Sequence, residues 1–422
     1  MKNILIAIRS IFKKGRHNVM KIVSLGIGLA VGLVLIAKVY FEQSYDDFYP
    51  DRDRVYQVWA KYQQNGGELK DYPQTSGGIA PTMQQQIPEI ETVTRYTSFG
   101  DWTFTMTDTK MKYSGRCIIA DSCFFDILPR PMLIGNAKEV LSTPMYVLIS
   151  SRIAKNIGGD VIGKNFTVDN SPGRTMTIGG VFEEVPENSH SRYDVIVSMA
   201  SAGRFMWEGS PTNMLGNDRY ISYVKLHKGV NPLALEEQVR TFVNSYFPPE
   251  EQQKVGLSID FSFHKLDNLH KELPQVKRMT WILSLLAFAL IFTAVMNYIL
   301  IVISSIVNRS KEVAVHKCYG ASENNIHGMM FGEALVHIVL SLILALLLIL
   351  AFRGTVEELL ATSLDSLLLS NGSLVLLGIC ILVFFVSGFM PGSLYARIPV
   401  ASAFRNYREN KRIWKKALLL VQ

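Results

Sequence analysis

Apolar residues along this chain gather into four runs, each near the roughly 20 residues needed to cross a bilayer, at 22–41, 281–307, 331–352 and 371–396. The first is broken only by Lys38, whose stem can carry its ammonium to the interface by snorkelling. It exceeds the apolar core of a signal peptide, about 7–15 residues, and no Ala-x-Ala site follows, so it reads as an anchor. The second run is uncharged. Its roughly 27 residues rise about 40 Å against a hydrocarbon core of about 30 Å, long enough to continue outward as a stalk. The third opens with Glu333 and His337, four apart and read as a structural polar pair. The fourth is uncharged and holds Pro391 near its end.

Between the first two runs the pattern changes to mixed periods. Ile79, Met83 and Ile87 mark a short helix, and Leu235, Val239, Phe242, Val243 and Tyr246 share one face of a longer one. Asn231-Pro232 supplies its cap and first position. Strands are expected at 54–60, 146–149, 166–168, 175–181, 220–226 and 257–263, with Gly66-Gly67, Gly77-Gly78 and Ser171-Pro172-Gly173 as breakers. The expected fold is an α-helical membrane bundle of four spans carrying a large α+β extracytoplasmic domain between spans 1 and 2. Two lobes are expected there, one from 50–115 with 205–265 and one from 116–204.

Charge placement adds orientation. Lys2, Arg9, Lys13, Lys14, Arg16 and Lys21 precede the first run, Arg309, Lys311 and Lys317 follow the second, and Arg397, Arg405, Arg408, Lys411, Arg412, Lys415 and Lys416 follow the fourth. Positive segments face the cytoplasm, so both termini and the 308–330 loop are expected inside and 43–277 outside. The divisions expected are 1–20 an inner-surface amphipathic helix with Ile4, Ile8, Ile11 and Phe12 on one face, 21–42, 278–307, 331–352 and 371–396 the spans, 353–370 an external loop, and 397–422 a cytoplasmic tail. The hydrophobic share of 48% beside a charged share of 19% fits a membrane part joined to a soluble part. These topological charges account for the net charge of +7, so no nucleic-acid partner is expected.

The external segment offers little chemistry. Cys117 and Cys123 are either a disulfide or two buried thiols. His190, His227, His264 and His270 lack metal spacing, and Asp46-Asp47 with Asp51-Arg52-Asp53-Arg54 reads as a solvated, charge-paired juncture. Ser150-Ser151 lack a Gly-x-Ser-x-Gly frame. Gly158-Gly159-Asp160-Val161-Ile162-Gly163-Lys164 has the spacing of a phosphate loop, but Asn165 stands where a hydroxyl should meet magnesium. It reads as a glycine-rich turn. No catalytic residues, metal or cofactor are expected, and any ATP hydrolysis belongs to another chain.

Arg309-x-Lys311-Glu312-Val313-x-Val315-x-Lys317-x-x-Gly320-Ala321-Ser322, leading to Glu333, resembles the cytoplasmic loop of FtsX/MacB-type ABC transporter permeases. The N-terminal pattern, Ala7-Ile8-Arg9, Gly26-x-Gly28-Leu29-Ala30-x-Gly32-Leu33, Ser44-Tyr45-Asp46-Asp47-Phe48 and Asp53-Arg54-Val55-Tyr56, is similar to the long Bacteroidetes-type members. Phe124-Phe125, Ile157-Gly158-Gly159, Gly179-Gly180-Val181-Phe182 and Val185-Pro186-x-Asn188-Ser189-His190 resemble the periplasmic core domain of MacB-like permeases. His316 and Cys318 depart from the family's usual Arg or aliphatic residues. Lys411–Lys416 followed by Ala417-Leu418-Leu419-Leu420-Val421 repeats the opening pattern, as expected where a first half ends at the start of a fifth span.

The resemblance implies a bacterial inner-membrane permease subunit that couples ATP hydrolysis by a cytoplasmic ABC ATPase to movements of the external domain, for export or mechanotransmission. A second permease half or copy and a periplasmic partner are implied with it. The alternative is an FtsX-like, non-transporting regulator of an extracytoplasmic cell-wall hydrolase. The expected ATPase-coupling residues are Arg309, Lys311, Glu312, Val313, Val315, His316, Lys317 and Gly320, with Val313 and Val315 as the apolar contact. Gly320 is expected to end the coupling helix in a left-handed conformation and Ser322 to cap the next helix. Ser24, Gly28 and Gly32 form a small-residue stripe, either against a second permease half or within the chain's own bundle.

Overall fold

The structure, a computed structural model, describes residues 18–169, 171–304, 306–368, 375–376, 378–383 and 385–386. Residues 1–17, the tail 397–422 and much of the expected fourth span 371–396 lie outside the described residues. The chain divides into two compact units, Met1–Gln43 with Pro274–Gln422, and Ser44–Leu273. Helix α1, Asn18–Gln43, has no acidic residue in its first turn and an almost unbroken apolar sequence.

Unit Ser44–Leu273 is an α+β domain built on one sheet. Its strands are β1 Val55–Gln64, β2 Lys70–Tyr72, β3 Ile90–Met106, β4 Lys112–Ala120, β5 Met132–Ile134, β6 Tyr146–Ser150, β7 Asn165–Val168, β8 Ser171–Phe182, β9 Val195–Ser198, β10 Ile221–Leu226 and β11 Leu257–Lys265. They run in the order β11-β1-β10-β3-β4-β9-β6-β8-β5, with β2 paired to β1 and β7 to β3 and β8. Helices α2 Ile79–Gln86 and α3 Glu236–Tyr246 pack on it. The expected strands correspond to β1, β6, β7, β8, β10 and β11. The long β3 and its partner β4 are not among the strands expected from the sequence. In the structure Gly100 takes φ 74°, and the β3–β4 register shifts between Ser98 and Gly100, so the strand continues through a bulge.

Local sequence explains the ends of these elements. After β1, Asn65 and Gly66 both have positive φ, 49° and 70°, and Gly67 N donates to Gln64 O at 2.9 Å. This is the Asn-Gly pattern favoured by tight hairpin turns. Asn231 Oδ1 accepts from Leu233 N at 3.1 Å and opens the turn leading to α3, which buries Val239, Phe242 and Val243. One apolar cluster gathers Val58, Ile79, Met83, Val93, Val239 and Phe261 from the flanks. A second gathers Phe104, Ile149, Phe166, Met176 and Val197. A third joins Tyr49, Tyr96 and Tyr223 to Phe124, Leu148, Phe182 and Tyr193. A single sheet therefore runs through both segments expected as lobes, and this third cluster draws on both.

The helical unit continues with α4 Pro274–Ser304, α5 Ile306–Cys318, α6 Glu323–Ala351, α7 Arg353–Leu360 and α8 Leu364–Leu368. Among the described residues α1, α4 and α6 are long and apolar enough to cross a membrane. Helix α4 begins at Pro274, so the polar turn holding Gln275, Lys277 and Arg278 extends it beyond the apolar run. Leu25, Leu29 and Val34 of α1 pack in one core with Ala294, Tyr298 and Ile299 of α4 and Ile338 and Ala345 of α6. Arg353 pairs with Glu357 at 2.9 Å and Asp365 at 3.2 Å, which ties α7 to α8.

Lys38 does not snorkel outward. It is buried, its ammonium 2.6 Å from Glu42 Oε1 and 2.7 Å from Thr362 Oγ1. A charge so placed is compensated by a carboxylate one turn away, and needs no water.

Candidate functional site

The coupling segment folds as helix, closed turn, capped helix. Helix α5 ends at Cys318, and Gly320 takes φ 84°. Ala321 N donates to His316 O and Gly320 N to Lys317 O, both at 3.0 Å. These two bonds make a Schellman closure, which satisfies carbonyls the helix end would leave open and favours glycine at the left-handed position. Ser322 then caps α6, its hydroxyl accepting from Asn325 N at 3.4 Å. The segment thus turns sharply between two helices with its backbone groups satisfied.

Its faces differ. Val313 and Ala314 are 1% exposed and belong to the core of the helical unit. Of the pair Val313 and Val315, expected as the apolar contact, Val313 is buried and Val315, 43% exposed, presents a surface. Tyr319 at 88% exposure is the large side chain that sequence reasoning missed. It lies four residues after Val315, one turn along the same face, a spacing that could have flagged it. His316 is exposed and Glu312 and Lys317 are half-buried. Arg309 and Lys311 lie on α5.

Gly28 and Gly32 bring α1 against α4. A Cβ on Gly28 would lie 2.2 Å from Ala294 Cβ, and one on Gly32 2.4 Å from Ile291 Cγ1. The stripe is thus used within the chain's own bundle, with Ser24 half-buried at its start. Gly26, facing away from it, meets Leu344 of α6. Tyr298 OH and His337 Nδ1 lie 3.2 Å apart across α4 and α6.

At the start of the α+β domain two motifs from distant parts of the chain are joined. Asp46 N donates to Asn188 O at 2.9 Å, and Asn188 Nδ2 donates to Ser44 O at 2.7 Å. Asp46 is fully buried with φ 60°, so the juncture read as solvated is an interior one. Its carboxylate meets Ser189 Oγ at 3.1 Å and His190 Nδ1 at 2.7 Å, and His190 Nε2 meets Tyr223 OH. Ser191 Oγ donates to Tyr96 OH at 2.7 Å beside it. Burial holds the phenols of Tyr49, Tyr193 and Tyr223 well above their ordinary range and pushes Tyr96 up to about 12.

The domain's last residues are tied to its first. The Tyr45 and His270 rings stack with centroids 3.4 Å apart, and Lys271 Nζ lies 3.3 Å from Asp47 Oδ1. Entry and exit of the domain are thereby fixed to each other and to the buried Asp46–His190–Tyr223 cluster.

The phosphate-loop-like segment has the wrong context for a nucleotide. A helix, Ser151–Ile157, precedes it, and β7 follows it, so no helix N-terminus points at the loop. Gly158, Gly159 and Gly163 all have positive φ, and Gly163 N donates to Ile178 O at 2.8 Å, as a turn feeding a strand requires. Cys117 and Cys123 are both free thiols, Cys117 wholly buried. Burial raises both thiols, and Cys123 Sγ donates to Val93 O at 3.1 Å.

Residues 20–242 match the family model of the MacB-like periplasmic core domain, and residues 284–400 match that of the FtsX-like permease C-terminal region. None of the curated proteins compared with the chain matches it. Among solved structures, a domain of a protein assigned as a permease from Porphyromonas gingivalis is 33% identical over 51% of this chain and 91% of that one, with a TM-score of 0.47. The periplasmic region of MacB from Actinobacillus actinomycetemcomitans is 14% identical over 52% and 91%, TM-score 0.35. The extracellular domain of the noncanonic ABC-type transporter YknZ from Gram-positive bacteria is 11% identical over 49% and 98%, TM-score 0.35. With its first family model spanning more than half of the sequence and the second following in order, this multi-pass membrane protein belongs to the FtsX/MacB-type ABC transporter permeases.

Proposed function

We propose that the chain is a bacterial inner-membrane permease subunit that converts ATP hydrolysis by a separate cytoplasmic ABC ATPase into movement of an extracytoplasmic α+β domain, for export or mechanotransmission. One observation carries the reading. The turn from α5 through Gly320 to Ser322 packs Val313 and Ala314 inward and offers Val315, His316 and Tyr319 outward. A rigid, closed turn with one seated face and one free apolar and aromatic face suits a handle gripped by another protein. The basic residues Arg309, Lys311 and Lys317 would supply ion pairs around that contact. Within the α+β domain, Asp46 and Asp47 at its start are bonded to its interior and to its last residues.

The test is co-purification from native membranes. Wild-type chain should retain an ATPase, while neutralising Arg309, Lys311 and Lys317 together with Tyr319→Ala should strip it away. Undiminished recovery of the ATPase with that variant would overturn the assignment. A cell-wall hydrolase held by the external domain without any transported cargo would favour the regulator reading instead.

A further inference from the structure

Strand β11 ends the sheet, with β1 on its inner side and no strand on its outer side among the described residues. Asn65 N donates to Gly256 O at 2.7 Å where the β1–β11 ladder begins, and the register pairs Gln63 with Ser258, Lys61 with Asp260 and Trp59 with Ser262. Bonding groups alternate along an antiparallel ladder, so even-numbered residues of β11 bond to β1 and odd-numbered ones turn their amides and carbonyls outward. Two outward amides are covered from within the chain. Ile259 N donates to Gln252 Oε1 at 3.0 Å, and Phe261 N to Asp260 Oδ1 at 2.8 Å. Among the described residues nothing meets the outward amide of Phe263 or the outward carbonyls of Phe261 and Phe263. Natural sheets cover or blunt their edges, because an open one recruits another strand.

A cavity of about 500 Å³ lies along this stretch and touches Asp260 and Ser262 as well as Phe261 and Phe263. Successive side chains of a strand point to opposite faces. A space that reaches both faces of a strand bonded to β1 on its inner side must run around the outer edge. The turn Pro232–Leu235 and the start of α3 wall it on the Phe261 face, where Leu233, 71% exposed, and Val239 give an apolar surface. A second copy of the domain would bring the same wall to the same edge, whereas a single extended chain meets only one.

The charges of the groove select its occupant. Lys61, Glu236, Arg240 and Asp260 line it, and none makes an ion pair among the described residues. Asp260 already accepts the Phe261 amide, and Glu236 lies in the first turn of α3, where the helix's partial positive charge favours an anion. Lys61 and Arg240 have no such compensation. Lys61, opposite Asp260 in register, belongs to one face of the sheet, and Arg240, on α3, to the other.

We propose that the outer edge of β11 is a docking groove for an extended acidic peptide of a partner protein, which joins the sheet as a further strand at Phe261 and Phe263 and sets neighbouring acidic residues against Arg240 on one face and Lys61 on the other. Backbone bonds supply the attachment, and the alternating side chains supply the selectivity. The groove belongs to the α+β domain alone and does not depend on ATP coupling.

The test uses the full chain in nanodiscs of zwitterionic lipid. The probe is a fluorescent peptide of about six residues, a common strand length, with valine and threonine flanking a central Asp-Glu. The control carries Lys-Lys at the centre. The acidic peptide should bind about tenfold more tightly by anisotropy, and Lys61→Glu with Arg240→Glu should reverse that preference. Methylating the peptide's central backbone nitrogens, which leaves its side chains alone, should cut binding by a similar factor. Hydrogen exchange in the 261–265 segment should slow when the acidic peptide is added. Absence of binding, equal binding of the two peptides, or binding without that slowing overturns the proposal. Slowing that comes with rising protein concentration and no peptide assigns the edge to a second copy and overturns it as well. Failure of peptide binding in a chain that still recovers its ATPase strikes the groove and leaves the proposed function standing.

Discussion

A carboxylate, a histidine and a tyrosine occur together in each unit of this protein, and the two sets are built in opposite ways. In the α+β domain Asp46 and His190 are 144 residues apart, and their 2.7 Å contact is made only when the motif after α1 meets the one before β9. In the helical unit Glu333 and His337 share one face of α6, and His337 Nδ1 lies 3.2 Å from Tyr298 OH of the neighbouring helix. The first set holds distant backbone in place: Asp46 N, His190 N and Ser189 Oγ all bond within it. In the second, helix ladders satisfy the backbone already, so the side chains choose which helices meet and at what register. Losing one member should therefore be severe in the first set and mild in the second.

The largest expected effect is at Asp46. Asp46→Ala removes the partner of three donors and leaves a β-carbon-bearing residue at φ 60° with no side-chain oxygen to favour it. Breaking one side of a buried network of this kind costs about 3–5 kcal/mol, which should appear as a marked drop in the unfolding midpoint of the domain in the full chain. Asp46→Asn keeps an acceptor and a residue that tolerates the left-handed region, so it should lose less. Equal and small losses for both would mean that the contact follows the fold and does not hold it.

Next comes alkaline pH. Tyr96 has its pKa raised by burial to about 12 from 10.0, so the folded state keeps a proton that the unfolded state releases. Its stabilising contribution is present below pH 10 and is lost as pH rises toward 12, by about 3 kcal/mol in all. Tyr49, Tyr193 and Tyr223 are shifted in the same direction and add to it. Phenolate absorbance of these tyrosines should rise together with loss of near-ultraviolet dichroism. Ionisation of all four near pH 10 with the dichroism intact would show that the cluster is open to water.

How far each set could be read from sequence follows from the same difference. That Glu333 and His337 share one helical face was legible because helix periodicity puts residues four apart there. Gly320 and Ser322 were visible because a left-handed stop and a hydroxyl cap are local backbone requirements. Gly28 and Gly32 announced a close approach but not the surface they approach, and the structure supplied Ala294 and Ile291. Asp46 and Asp47 looked like surface charges, since nothing local indicates that Ser189 and His190 will return to cover one of them. Lys21 and Lys38 likewise looked like topological or snorkelling charges, because burial of a flexible cation depends on a partner helix. Val313 had the composition of a contact residue; only tertiary packing separates it from Val315. Strand β3 was not among the expected strands, and in the structure it passes Gly100 through a bulge.

The smallest effect, and the sharpest check on the comparison, is Tyr298→Phe. This change deletes one hydroxyl facing His337 and leaves the ring, which sits in the core beside Ile299 and Val302. Interhelical hydrogen bonds within a bilayer contribute only about 0.6 kcal/mol on average, since the separated helices find other partners. Tyr298→Phe should therefore shift a detergent unfolding titration by about that much. Tyr223→Phe, which removes the hydroxyl at His190 Nε2 in the α+β domain, should cost more, about 1–3 kcal/mol, because it strips a half-buried ring nitrogen of its partner where no second helix can replace it. If the two substitutions cost the same, the contrast between a cluster that holds a fold and one that sets a register is wrong. In that event the helical unit depends on its polar contacts as heavily as the sheet does.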